Sequence, residues 1–272
     1  MSSRSVEITR LLPRGTQWGR PILIGIVLAY VGILLLWPIL AMVRGAFANG
    51  VGQLVAVLND PEVREAFWLT LLLAAAAVLL NGVFGTIVAW VLVRQRFTGR
   101  SFFNGIVDLP FVVSPVIAGY MLILLFGRRG WFAPVLEVAD IKIIFAWPGM
   151  LLATIFVALP FMIREIMPVL QEIGTEPEQA AYTLGASGWQ TFRRVTLPGI
   201  RWGLLYGLTL TLARALGEFG AVLVVGGAIV GRTETATLYI YRALDERMYT
   251  GAYTAAMVLG LISFIILITM ER

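Results

Sequence analysis

Residues 175–198 read TEPEQAAYTLGASGWQTFRRVTLP, the longest polar-to-amphipathic stretch in a chain of otherwise apolar runs. Two helix starts of one design lie within it. Thr175 followed by Glu178 predicts a capping box, in which the hydroxyl accepts from the amide three residues on and the carboxylate reaches back. Ser187 followed by Gln190 repeats the pattern. Between them, Gly185 stands where a short helix needs a residue that tolerates a left-handed backbone. Pro198 lacks an amide and restricts the residue before it, so the second helix is expected to stop there. The reading is a helix over 176–184, a turn at 185–187 and a helix over 188–196. Ala180, Ala181 and Leu184 form a small flat face on the first helix. Trp189 and Phe192 form an apolar ridge on the second, beside Arg193 and Arg194. The residues alone permit two uses: an amphipathic connector lying on a bilayer, or a docking element for a partner. A DNA-reading helix-turn-helix is compatible with the hairpin but not with lipid-embedded neighbours.

Those neighbours follow from composition. The chain is 59% hydrophobic with a mean hydropathy of +0.86, against about 45–50% apolar residues in an ordinary soluble domain. A membrane-crossing helix needs roughly 20 mostly apolar residues to traverse about 30 Å of hydrocarbon. Runs of that kind predict an all-α polytopic membrane protein, one six-helix unit over 1–272. Its spans fall at about 21–43, 66–93, 105–126, 146–163, 200–226 and 252–269. The run 21–43 exceeds the roughly 7–15 residues of a signal-peptide core and lacks a small-residue cleavage site; a kink is expected at Pro38. Gly82 and Gly85 predict close helix approach in the second span. The third carries Asp108, Pro110, Ser114 and Pro115 ahead of a smooth apolar stretch. Backbone broken at membrane depth is tolerated where protein or a water-filled cavity covers it. This entry therefore reads either as a kink lining a pathway or as an interfacial turn. Residues 44–65, 127–145 and 227–251 read as loops.

The chain has no Cys and no His, and its only lysine is Lys142. Disulfides, thiolate or imidazole metal sites and Ser-His or Cys-His nucleophiles are therefore excluded. So is a GxxxxGK[ST] phosphate loop. No catalytic, metal or cofactor-binding residue is expected, and any ATPase serving this protein must be a separate chain. The net charge of +5 requires no nucleic acid, because basic residues gather at the cytoplasmic ends of spans. With the N-terminus inside, the cytoplasmic segments hold twelve basic residues and the outer ones eight. The segment 94–104, with Arg94, Arg96, Arg100 and no acid, contributes most. This orientation puts both termini and the hairpin 175–198 in the cytoplasm.

Two charges fall inside the fifth expected span, Arg214 and Glu218 in ARALGEFGA. A charge at the centre of a membrane helix costs about 2.5–3.5 kcal/mol on insertion scales, so a partner or a watery cavity is implied. At i, i+4 the two share a helix face. Either they neutralise each other or bind a neighbouring subunit, or Arg214 offers positive charge to a passing anion while Glu218 holds its rotamer or gates it. Asp108 would repel an anion in the path; it is expected to cap the break before Pro110 or to pair with a basic group. Gly217, Gly220, Gly226 and Gly227 predict close packing or flexing nearby.

The hairpin resembles the EAA loop of bacterial ABC-importer permeases, with Gln179-Ala180-Ala181, Gly185, Val195 and Leu197-Pro198 on the pattern. Position 179 departs from it, carrying Gln where the pattern has Glu, with Glu178 adjacent. The stretches LGASGWQTFRRVTLPGIRW, ARALGEFGAV, DLPFVVSPVIAG and FAWPGMLLATIFV extend the likeness over nearly the whole chain, to sulfate/thiosulfate permeases of the CysW type. The resemblance implies a subunit of the bacterial inner membrane that moves sulfate or thiosulfate. It also implies a second, homologous permease, two ATP-binding cassette subunits carrying ATP and Mg, and an extracytoplasmic sulfate-binding protein. On this basis Glu178, Gln179, Ala180, Ala181, Gly185, Leu197 and Pro198 are expected to couple to the ATPase, and Arg214, Glu218, Ser114 and Asp108 to line the pathway. A molybdate or tungstate permease would share the EAA loop and the Gly-Glu-Phe-Gly stretch. A gradient-driven secondary transporter would need no ATPase and would often show paired inverted repeats with broken helices in both halves; no clear internal repeat is visible.

Overall fold

The computed structural model describes residues 19–271. The basic residues Arg4, Arg10, Arg14 and Arg272, which enter the charge count, lie outside them. Among the described residues, four helices are long and apolar enough to cross a membrane: α1 (Pro21–Ala46), α3 (Pro61–Arg94), α7 (Trp147–Ile173) and α13, whose apolar part is Tyr249–Met270. Two bent helix pairs, each a broken span or a re-entrant segment, lie where the third and fifth spans are expected. In one, α4 (Arg100–Val112) meets α5 (Pro115–Phe126) at 114°; in the other, α10 (Arg201–Leu216) meets α11 (Gly220–Gly226) at 56°. The architecture is an all-helical multi-pass membrane protein.

The elements begin and end where local chemistry dictates, and this moves several expected boundaries. α3 starts at Pro61, not 66, because the Asp60 carboxylate accepts from the Glu62 amide at 2.9 Å and proline suits the first helical position. α7 ends at Ile173 rather than near 163, running through Pro160 and Pro168. Met162, Ile163, Ile166 and Leu170 are fully buried and hold the helix in the core beyond position 163. In α1 the expected disturbance at Pro38 takes the form of a π-helical turn over Gly32–Leu36, just before the proline. Proline cannot donate to the i−4 carbonyl, and a wider turn relieves that position.

The centre is a three-helix pack of α3, α7 and α10. Gly85 and Gly207 both lie against Met162: a Cβ on either would come within 2.7 Å of its side chain. Removing two side chains there lets three helices approach around one methionine, the small-residue packing expected of membrane helices. α11 packs against α5 and α7, and α1 against α13. The two breaks in the bent pairs adjoin, since a Cβ on Gly220 would lie 3.2 Å from Val116 and 3.3 Å from Pro115. The two interrupted backbones thus touch on one side, while Val112 and Ser114 of the first and Gly217 of the second stay exposed. Gly227 ends α11 at φ +71° and has the Phe145 ring where a side chain would stand.

The three expected loops are not plain loops. Residues 44–65 hold α2 (Gly50–Asn59), 127–145 hold α6 (Ala133–Val138), and 227–251 hold α12 (Ala236–Asp245). The last differs most from expectation, because Thr233, Glu234, Thr235 and Ala236 are buried. Their polarity is absorbed locally. Thr233 donates to the Gly226 carbonyl at 2.7 Å, Thr237 donates to the Glu218 carbonyl at 2.7 Å, and Thr70 Oγ1 accepts from the Ala236 amide at 2.8 Å. Buried polar groups persist when they are paired in this way.

Candidate functional site

The hairpin forms as α8 (Glu176–Thr183) and α9 (Gly188–Thr191), with Gly185 at φ +85° between them. The Ser187–Gln190 capping box is present in both directions, at 3.3 and 2.9 Å. The Thr175–Glu178 box is not. Thr175 has φ −101°, ψ −8° rather than the extended backbone of an N-cap, and its hydroxyl takes the Gln179 side-chain amide at 3.1 Å. Nor does Pro198 stop the second helix. α9 widens into a π turn over Phe192–Thr196, where the Leu197 amide reaches the Phe192 carbonyl, and helical backbone continues over Leu197–Gly199. The missing Pro198 amide is accommodated by this wider turn and the break falls at Ile200.

Glu178 turns inward instead. Its Oε2 accepts from Arg94 Nε at 3.0 Å and its Oε1 from the Thr196 hydroxyl at 2.8 Å. Arg94, the last residue of α3, also donates to the carbonyls of Leu170 and Gly174 at 2.9 and 2.6 Å. The ion pair is nearly dry, with side-chain exposures of 7% and 12%. A desolvated guanidinium is a stronger partner for a carboxylate than an exposed backbone amide, which explains the lost capping box. The hairpin leaves Tyr182, Leu184 and Trp189 outward, at 51%, 88% and 69% exposure, with Trp189 stacked on Phe192 at 5.8 Å. Ala180 and Gln179 are exposed beside them, and Ala181 is half-buried.

The membrane charges are paired within the chain. Arg214 and Glu218 meet at 2.7 Å. Glu218 is buried at the break after α10, and its other oxygen accepts from the Ala221 amide at 2.9 Å, at the start of α11. It thus closes the bend while neutralising Arg214, whose side chain remains 26% exposed. Asp108 lies in a separate network: Arg164 grips it bidentately at 2.7 and 2.6 Å and donates to Asn104 as well. Of the two roles expected for Asp108, pairing is the one observed. Ser114 sits exposed at the 114° bend and makes no side-chain cap.

Sequence reasoning missed Arg94, Arg164 and a further cluster on α12. There, Arg242 joins buried Glu234 at 2.7 Å, Glu62 at 2.8 Å and Glu246 at 3.4 Å, and lies over the Tyr239 ring. The Glu234 hydrogen bond pushes Arg242 further up from its already high value, and burial, followed by the nearby Asp60 carboxylate, pushes the Tyr239 hydroxyl up. Only the Arg242–Glu246 spacing is visible as a helix-face pair; the other contacts cross 8 and 180 positions.

Two bent helix pairs that adjoin, a polar hairpin keyed into the base of the helix pack and ion pairs between helices and across a bend make up the candidate site. Residues 81–271 match the family model of the binding-protein-dependent transport system inner membrane component, and the chain belongs to that family. It is 52% identical over 246 residues to the sulfate transport system permease protein CysW of Synechococcus elongatus, covering 90% of this chain and 86% of that one. It is 38% identical over 267 residues to the sulfate transport system permease protein CysT of Escherichia coli, covering 98% and 95%. It shares its fold with a chain in the crystal structure of a bacterial alginate ABC transporter in complex with alginate pentasaccharide-bound periplasmic protein. The TM-score is 0.78 at 20% identity, over 93% of this chain and 92% of that chain.

Proposed function

We propose that this chain is the membrane-spanning permease subunit of an ATP-driven importer of sulfate and thiosulfate. The observation that carries the proposal is the 52% identity to a sulfate permease over 90% of the chain. The hairpin resting on Arg94 supports it. Likeness to both CysW and CysT favours pairing with a second, homologous permease. Two ATP-binding cassette subunits and an extracytoplasmic sulfate-binding protein complete the complex. The subunit lies in the bacterial inner membrane with both termini and residues 175–198 on the cytoplasmic side. ATP and Mg belong to the cassette subunits, since this chain has one lysine and no phosphate loop.

In this reading Tyr182, Leu184 and Trp189, flanked by Gln179, Ala180 and Ala181, form the contact with the ATPase. Gly185 sets the turn, Leu197 and Pro198 join it to α10, and Glu178 anchors it. Closure of the ATPases moves the hairpin, and the spans attached to it rock. Along the pathway Arg214 is the group with exposed positive charge, Glu218 holds it in place, and Ser114 lies at the neighbouring bend; Asp108 is neutralised by Arg164. Sulfate, a small divalent oxyanion, suits guanidinium and backbone donors. A conduit should hold it weakly, or release would stall, so tight recognition belongs to the binding protein.

The proposal is tested by solubilising the chain from its native membrane and identifying what accompanies it. A second permease and an ATPase should co-purify, and sulfate with its binding protein should stimulate ATP hydrolysis. Stimulation by molybdate alone would keep the architecture and change the substrate; isolation of the chain without companions, still moving anions in liposomes, would replace the importer by a secondary transporter.

A further inference from the structure

The Arg94 joint gathers four parts of the chain. Its guanidinium is contributed by the end of α3, caps the end of α7 through Leu170 and Gly174, and meets α8 through Glu178; Glu178 in turn holds the π turn through Thr196. Arg94 and Glu178 are 7% and 12% exposed, so water does not substitute for either partner. Between α7 and α8 there remain only Gly174, at φ +69°, and Thr175. A glycine with open space around it is a pliable connection on its own. The exposed face of the hairpin carries Tyr182, Leu184 and Trp189 but no acid at position 179.

We infer that Arg94 is the positioning residue that makes the hairpin one body with α3 and α7, so that force on the hairpin reaches α3 instead of being absorbed at Gly174. Glu178 serves this joint within the chain and does not reach out to a partner's cation. The inference rests on the importer reading. Its geometry is specific to arginine, whose planar fork serves one carboxylate and two carbonyls at once, whereas lysine offers a single point charge.

The test uses the complete importer in proteoliposomes, with sulfate uptake and ATP hydrolysis measured on the same preparation. Wild type must first show ATP-dependent sulfate uptake; if it does not, the importer reading fails and the joint is not at issue. Given that uptake, Arg94→Ala and Glu178→Gln should each raise the ATP consumed per sulfate by about fivefold or more, the lower end of an ordinary coupling free energy. Arg94→Lys should fall between them and wild type. Because the chain has no native cysteine, the double variant R94C/E178C offers an independent arm, bridged by a bifunctional thiol reagent spanning the lost side chains. Bridging should restore the wild-type ratio, and cleaving the bridge should abolish it again. An unchanged ATP-to-sulfate ratio in assembled Glu178→Gln complexes, or a bridged variant as uncoupled as the unbridged one, overturns the inference. A merely structural joint would lower the amount of complex and leave that ratio alone.

Discussion

Arg214→Ala is expected to destabilise the folded protein by roughly 3–5 kcal/mol, because it strands a buried carboxylate whose partner has been removed. Glu218 is 4% exposed and fixed by the Ala221 amide, so it has little freedom to reach water. The loss should appear as a fall in assembled, detergent-stable protein. It therefore says little about transport. The paired replacement Arg214→Met with Glu218→Gln removes both charges while Gln keeps an acceptor for Ala221, and such neutral pairs are often tolerated. If Arg214 presents charge to the anion, this double variant should assemble and yet lose about tenfold or more in uptake, the worth of one charge-assisted hydrogen bond. Uptake at the wild-type rate in the assembled double variant would reduce the pair to a structural one.

Gly185→Val is expected to separate ATP hydrolysis from uptake. The residue sits at φ +85° with no heavy atom within 4 Å of a built Cβ. The whole penalty is thus in the backbone, about 1–3 kcal/mol for a branched residue held in that region. Relaxing the turn re-aims α9 against α8 and with it the Trp189 ridge. Hydrolysis by the ATPase should continue while sulfate uptake falls. Asparagine tolerates the left-handed region, so Gly185→Asn should stay close to wild type. If valine and asparagine behave alike, the turn conformation is not what the coupling depends on.

The devices that are local in sequence were legible in it. Gly185 took the left-handed backbone, Ser187 and Gln190 capped each other, and Arg214 and Glu218 met across one turn, because each rests on residues within four positions. The apolar runs marked the four spanning helices for the same reason, and the prolines and glycines marked where two further apolar runs bend. What could not be read were partners brought together by packing. Arg94 meets Glu178 across 84 positions and Arg164 meets Asp108 across 56. The first of these contacts overruled a predicted capping box, since a dry guanidinium outcompetes a wet amide. The second gives Asp108 its basic partner on another helix, which no local pattern names. The polar segment before α12 misled for a related reason: the Thr233 hydroxyl bonds the Gly226 carbonyl and Glu234 meets Arg242, so it could be packed as core.

Reconstituting the purified complex in liposomes and following labelled sulfate with and without ATP tests the central claim most directly. Sulfate should accumulate only when the second permease, the ATPase subunits, the binding protein and ATP are all present, and loss of the hairpin turn in Gly185→Val should abolish accumulation while hydrolysis persists. Accumulation by this chain alone, driven by an ion gradient and indifferent to ATP, would contradict the account.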